Sequence, residues 1–145
     1  MELGFPVSKP FLLTWRVAAE DIDAQGHVSN VRILHWMNRA AIEHSEALGY
    51  DVPRYREIGG IFVVRRHEID YLASAYEGEE LVVATWPSAR KRAIAERRHE
   101  IRRVSDGSLI ARGFNRWIYV DIETGKPKRM PPEVEEAFDP ARFES

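Results

Sequence analysis

Two aspartates, a histidine and an asparagine stand close together in the run Asp21-Ile22-Asp23-Ala24-Gln25-Gly26-His27-Val28-Ser29-Asn30. Carboxylates and imidazoles are the side chains that most readily move protons near neutral pH. A stretch with helical apolar spacing follows at once, so these groups precede a helix N-terminus. Free backbone N–H groups and the helix dipole favour an anion or a polarised carbonyl oxygen there. A carboxylate held beside such an end can be set against a carbonyl and a water, as general base or as nucleophile. Backbone donors aimed at the developing oxyanion contribute roughly 2.7–4 kcal/mol each to lowering the barrier. The same residue types have plainer uses, because aspartates ahead of a helix are commonly caps or turn formers. Asp21 is assigned that role, and Asp23 fits either. Asn30 is read as the helix N-cap, a role compatible with building an oxyanion site. His27 either holds the loop by hydrogen bonds or assists the chemistry. Asp21, Asp23 and His27 offer oxygen and nitrogen donors, yet nothing else has ligand spacing, so no metal is expected.

The element that must position these groups is a helix over residues 31–48. At 100° per residue, Arg32, His35, Arg39, Glu43 and Glu46 share one narrow arc, and apolar side chains fill most of the rest. A helix that hides nearly everything except a stripe needs a wall wrapped around it. Gly49 is placed to stop it. His44 falls on the apolar side and is read as a core or interface histidine. Arg32 is out of place electrostatically, because a cation near a helix N-terminus opposes the dipole.

The wall is legible in the remaining sequence. Phe11, Leu13, Trp15 and Val17 alternate with Leu12, Thr14 and Arg16, which reads as a first strand. Residues 51–60 read as a connection with a short turn of helix, since they hold Pro53 and Gly59-Gly60. Strands are expected over 61–72, 81–86, 93–104 and 109–121. Tyr76-Glu77-Gly78, Ser105-Asp106-Gly107-Ser108 and Thr124-Gly125-Lys126-Pro127 supply turns. A short helix, 133–138, follows Pro131-Pro132. Short connections favour an antiparallel sheet, and one sheet with one apolar helix gives an α+β domain in which the sheet curls around the helix. The charge-studded strand around 92–103 is expected at an exposed edge, and pairing that edge between copies predicts at least a homodimer. Its Glu96, Arg97, Arg98, Glu100, Arg102 and Arg103 are read as solvent-facing cross-strand pairs.

Composition narrows the function classes. The chain has 145 residues, which suits a single domain, 1–145, with a real core. With 44% hydrophobic and 30% charged residues it is expected to be soluble and globular. A formal net charge of -2 argues against a general nucleic-acid binder. The absence of cysteine excludes disulfides, a cysteine nucleophile and thiolate metal sites. Residues 1–14 carry no long apolar run, so neither a signal peptide nor a membrane span is expected, and the default compartment is the cytoplasm.

The run Asp23 to Asn30, then Leu34, Ala40 and Leu48-Gly49, resembles the hotdog-fold acyl-CoA thioesterases of the 4-hydroxybenzoyl-CoA thioesterase type. That pattern is Asp, three residues, His-Val-Asn-Asn and a long central helix. Tyr71-Leu72 before Gly78-Glu79, and Val120-Asp121 before Thr124-Gly125-Lys126-Pro127, fit in order, so the similarity covers about residues 12–132. Ser29 stands where an Asn is usual, and Ile33 where an aromatic is usual. The resemblance implies a hotdog fold: a long helix wrapped by a curved antiparallel sheet of about five strands. It implies hydrolysis of an acyl-CoA or acyl-carrier-protein thioester, with Asp23 as base or nucleophile and N–H groups near Asn30 polarising the carbonyl. Under it, coenzyme A is part of the substrate, no separate cofactor is needed, and the chain forms a homodimer or homotetramer. Arg90, Lys91 and Arg92 are the first candidates for the coenzyme A phosphates, and Lys126, Lys128 and Arg129 the second. The alternatives are a hotdog enoyl-thioester hydratase and a non-catalytic acyl-thioester-binding module.

Overall fold

A computed structural model describes residues 3–144. Met1 and Glu2, part of the expected leading segment, lie outside the described residues. The elements run β1 (Phe11–Arg16), α1 (Asn30–Ala47), α2 (Val52–Ile58), β2 (Gly60–Tyr71), β3 (Glu80–Lys91), β4 (Ile94–Arg103), β5 (Leu109–Asp121) and α3 (Pro132–Ala137). The five strands form one antiparallel sheet in the order β1-β3-β4-β5-β2. The long helix α1 lies against it. This is the hotdog arrangement of the α+β class that the resemblance implies.

Local chemistry explains the boundaries. Ser29, with extended backbone, is the residue that caps α1, its Oγ accepting from the Arg32 N–H at 3.2 Å. Asn30 is therefore the first helical residue, a correction to its reading as the cap. Gly49, at φ 96°, occupies the left-handed position beyond the helix, as its place in the sequence predicts. Asp51 caps α2 by accepting from the Arg54 N–H at 2.9 Å. Strand β3 runs to Lys91, well past the expected end at Trp86. A bulge between Pro87 and Ala89 absorbs the proline, and pairing with β4 resumes beyond it.

Two apolar clusters fill the space between α1 and the sheet. One lies under the first half of the helix and includes Ile33, Trp36, Met37, Val83, Ile101 and Ile110. The other gathers Tyr50, Tyr55, Tyr119, Met130, Val134 and Phe138 around the C-terminal half. His44 is buried in between, stacked on Phe11 with ring centroids 4.9 Å apart.

The sheet wraps α1 but leaves more than a polar stripe uncovered, since Val31 is 75% exposed and Ile42 45%. Two further expectations are overturned. β4 is a central strand, so its charges do not decorate an edge; the edges are β1 and β2. Nor do all β4 charges face solvent. Arg98 does, but Arg97 and Glu100 are buried. Inward parity on β4 is set by Ile101, and Arg97 and His99 share it.

Candidate active site

The loop ahead of α1 is built on Asp21. Its buried carboxylate accepts from the Ala18 N–H through Oδ2 at 2.8 Å and pairs through Oδ1 with Arg32 Nε at 2.9 Å. The Asp21 carbonyl also accepts from the Ser29 N–H at 3.0 Å. Asp21 is thus structural, and Arg32, awkward against the helix dipole, is the counter-ion of a buried acid. Ile22 and Val28 form an antiparallel bridge across the loop.

Asp23 sits on the turn that this bridge closes. Its N–H donates to the His27 carbonyl at 3.0 Å, and its carbonyl accepts from the Gly26 N–H at 3.0 Å. Gly26 adopts φ 87°, which the turn requires. One carboxylate oxygen, Oδ1, accepts from the Gln25 N–H at 2.8 Å. Among the described residues Oδ2 has no hydrogen-bond or ion-pair partner, and the side chain is half-buried. Asp23 therefore holds a spare acceptor, which a proton-transfer or nucleophilic role requires.

A cavity of about 210 Å³ opens at the leading end of α1, lined by His27, Val28, Asn30, Ile33, Tyr71 and Ala75 among others. The N–H groups of Asn30 and Val31 find no acceptor among the described residues, because the Ser29 cap engages the Arg32 and Ile33 N–H groups instead. Two leading amides are thus free. The Tyr71 hydroxyl donates to the Asn30 carbonyl at 3.4 Å, joining the end of β2 to the start of α1. His27 Nδ1 lies 3.2 Å from the Val28 carbonyl oxygen; a neutral ring that donates there presents Nε2 as an acceptor. His27 and Asn30 line the cavity, whereas Asp23 is not among its wall residues.

The basic clusters lie elsewhere. Arg90 is tied to Asp139 at 2.9 Å and approaches Glu135 at 3.9 Å. Lys91 and Arg92 are exposed on the β3–β4 turn, where Arg92 takes φ 59°. That turn is at the far end of β3 from the α1 entrance, with the 12 residues of the strand between them. Lys128 pairs with Asp121 at 3.3 Å and Arg129 with Glu135 at 3.2 Å. Among the described residues no three metal-ligating side chains converge. No helix among them is long and apolar enough to cross a membrane.

The pattern missed by sequence reading is a buried polar seam on the inner face of the sheet. Arg97 directs Nη1 at His44 Nδ1 (3.0 Å) and donates to Thr85 Oγ1 (3.2 Å). His99 and Asn115 are buried beside it. Burial, then the Arg97 and Arg142 charges, push His44 down to about 3. Burial, then Arg97, push His99 down to about 3 as well. Both imidazoles are neutral at pH 7.

Similarity to known proteins extends over sequence and fold. The chain is 32% identical over 124 residues to the acyl-CoA thioesterase YbgC of Haemophilus influenzae, covering 85% of this chain and 90% of that protein. Its fold matches a 1,4-dihydroxy-2-naphthoyl-CoA thioesterase from Synechocystis with a TM-score of 0.80 at 18% identity, over 89% of this chain and 95% of that one. It also matches a Staphylococcus aureus protein solved in complex with CoA, with a TM-score of 0.88 at 12% identity, over 98% and 90% of the two chains. Residues 17–138 match the model of the thioesterase-like superfamily, and the chain belongs to that family.

Proposed function

We propose that this protein hydrolyses acyl thioesters, those of coenzyme A first, at the leading end of α1. The observation that carries the reading is the pairing of two free N–H groups, those of Asn30 and Val31, with a carboxylate on the preceding turn that keeps one oxygen unengaged. A thioester carbonyl oxygen placed against those amides is polarised, and charge that develops on it in the transition state is met by donors already in position. Asp23 then acts on the carbonyl carbon, either by taking a proton from an attacking water or by attacking directly to form a mixed anhydride that water cleaves. The thiol leaves and a free acid remains. His27 Nε2 is available to orient the water. A thioester is an activated acyl group, so one acid with two amides suffices without a triad.

A second copy belongs to this proposal. β2 is an open edge, and Val31, Tyr71 and Leu72 expose apolar surface near its end. A partner seated there covers that surface and closes the cavity. Lys91 and Arg92, remote within one chain, serve coenzyme A phosphates only from such a neighbour.

The test is thiol release from a panel of aryl and aliphatic acyl-CoAs and acyl-carrier-protein thioesters. Asp23→Asn and Asp23→Ala should lower kcat at least about a hundredfold with the melting temperature nearly unchanged. Full activity in both variants would refute the assignment. Hydration of an enoyl thioester without thiol release would replace the reading with a hydratase, and binding without either reaction with an acyl-thioester-binding module.

A further inference from the structure

A larger cavity, about 260 Å³, lies at the other end of α1 and takes no part in the chemistry above. Ala41, its first helical wall residue, is eleven residues beyond Asn30, about 17 Å along the axis. Its walls are mainly apolar and aromatic, with Tyr55, Phe62, Trp117 and Phe138 prominent. The Ser45 and Tyr55 hydroxyls inside are already engaged: Ser45 Oγ donates to the Tyr50 carbonyl at 2.7 Å and is 2.6 Å from the Tyr55 hydroxyl.

Into this apolar space comes Arg97, only 6% exposed. Nη1 is used on His44 and Thr85, both uncharged. Nη2 is buried and has no hydrogen-bond partner among the described residues. No carboxylate among them pairs with Arg97. Burial lowers its pKa only to about 10, so it remains a cation at neutral pH. A buried guanidinium without an anion is costly, and a carboxylate matches its planar fork better than any neutral group does.

The surroundings limit which anion fits. Glu46 and Asp51, exposed on the wall, and Glu96, held by Arg116 at 2.8 Å, are acids that repel a polyanion. They weigh more against a phosphate-bearing coenzyme A tail than against a single carboxylate carried on an apolar body.

We propose that this cavity is a second ligand site, which binds an apolar monocarboxylate, preferably aromatic, through the Arg97 guanidinium. Hydrolysis converts a neutral acyl group into such an acid, so the site takes the product and not the thioester. That link to the product rests on the proposed activity; the binding itself does not.

The experiment is titration of the intact protein at pH 7.5 with benzoate and octanoate, and with benzamide and octanamide as neutral counterparts, by calorimetry. Amide chemical shifts are mapped in parallel. Saturable binding is expected for the acids, at least about tenfold tighter than for the amides. Shifts should centre on Tyr55, Trp117 and Phe138, not on Asn30. Arg97→Met should abolish the preference for the acid, Arg97→Lys should retain part of it, and Asp23→Asn should leave it unchanged. The proposal is overturned if neither acid saturates, if acid and amide bind alike, if the shifts centre on Asn30, or if folded Arg97→Met keeps the preference. The wild-type arms decide the matter even where Arg97→Met does not fold. Binding without thioester hydrolysis would remove the proposed reaction and leave this site; hydrolysis without binding would do the reverse.

Discussion

Mild acid should loosen this protein through two histidines. His44 is 4% exposed and His99 1%, and each is held neutral, its pKa lowered from 6.5 to about 3. In the unfolded chain each imidazole takes up a proton near pH 6.5, whereas in the fold it does not. The unfolded state then binds more protons, so stability is intact above pH 6.5 and declines as the pH falls from there toward about 3. Between pH 7 and 5.5 each histidine removes about 1 kcal/mol, together roughly 2–3 kcal/mol. For a domain of this size that is a drop in melting temperature of roughly 8–10 °C. Ordinary carboxylates titrate mostly below this window, which isolates the imidazoles. The assay is thermal unfolding by circular dichroism across the range at constant ionic strength. His44→Gln and His99→Gln should each lose a large part of the slope, and His67, also held down by burial, adds a smaller share. An unchanged melting temperature between pH 7 and 5.5 would refute the reasoning, because it would mean that the buried rings accept protons at little cost.

Three further outcomes are expected. A Cβ at Gly60 falls within the van der Waals envelope of the fully buried Tyr119 ring, so Gly60→Ala should cost about 1–3 kcal/mol, read from urea unfolding. Ser29→Ala removes the side-chain cap of α1 and should cost about 1 kcal/mol by the same measurement, the Arg32 N–H then keeping only the Ser29 carbonyl at 3.1 Å. Arg32→Met leaves the Asp21 carboxylate buried without its counter-ion, and should destabilise the fold and lower thioester turnover, whereas Arg32→Lys should restore part of both.

Much of the architecture was readable because periodicity is local. The helix, written as 31–48, is Asn30–Ala47, and the last strand coincides with Leu109–Asp121. What failed was information carried by distant residues. Nothing near Ile94–Arg103 says that β3 and β5 flank it, and a row of charges looks the same on an edge strand as on the rim of a central one. Arg97 looked like its exposed neighbour Arg98; only the alternation from Ile101 could have marked it as inward. Pro87 shortened the reading of β3 because a bulge is not visible in one strand alone. At the site, the structural duty of Asp21 was foreseen. Its cause, the Arg32 ion pair, was not, since a helix-dipole argument gives Arg32 no partner. The cap was misplaced by one residue because Ser29 and Asn30 are both good N-caps.

The two acids ahead of α1 have separate duties. Asp21 anchors the loop to Arg32, while Asp23 lends it a single contact that an amide oxygen can make equally well. Asparagine at position 23 would therefore leave the cradle standing and, on the proposed reading, take away its acid. On that reading, such a protein is a trap in which an uncleaved thioester can be caught and seen.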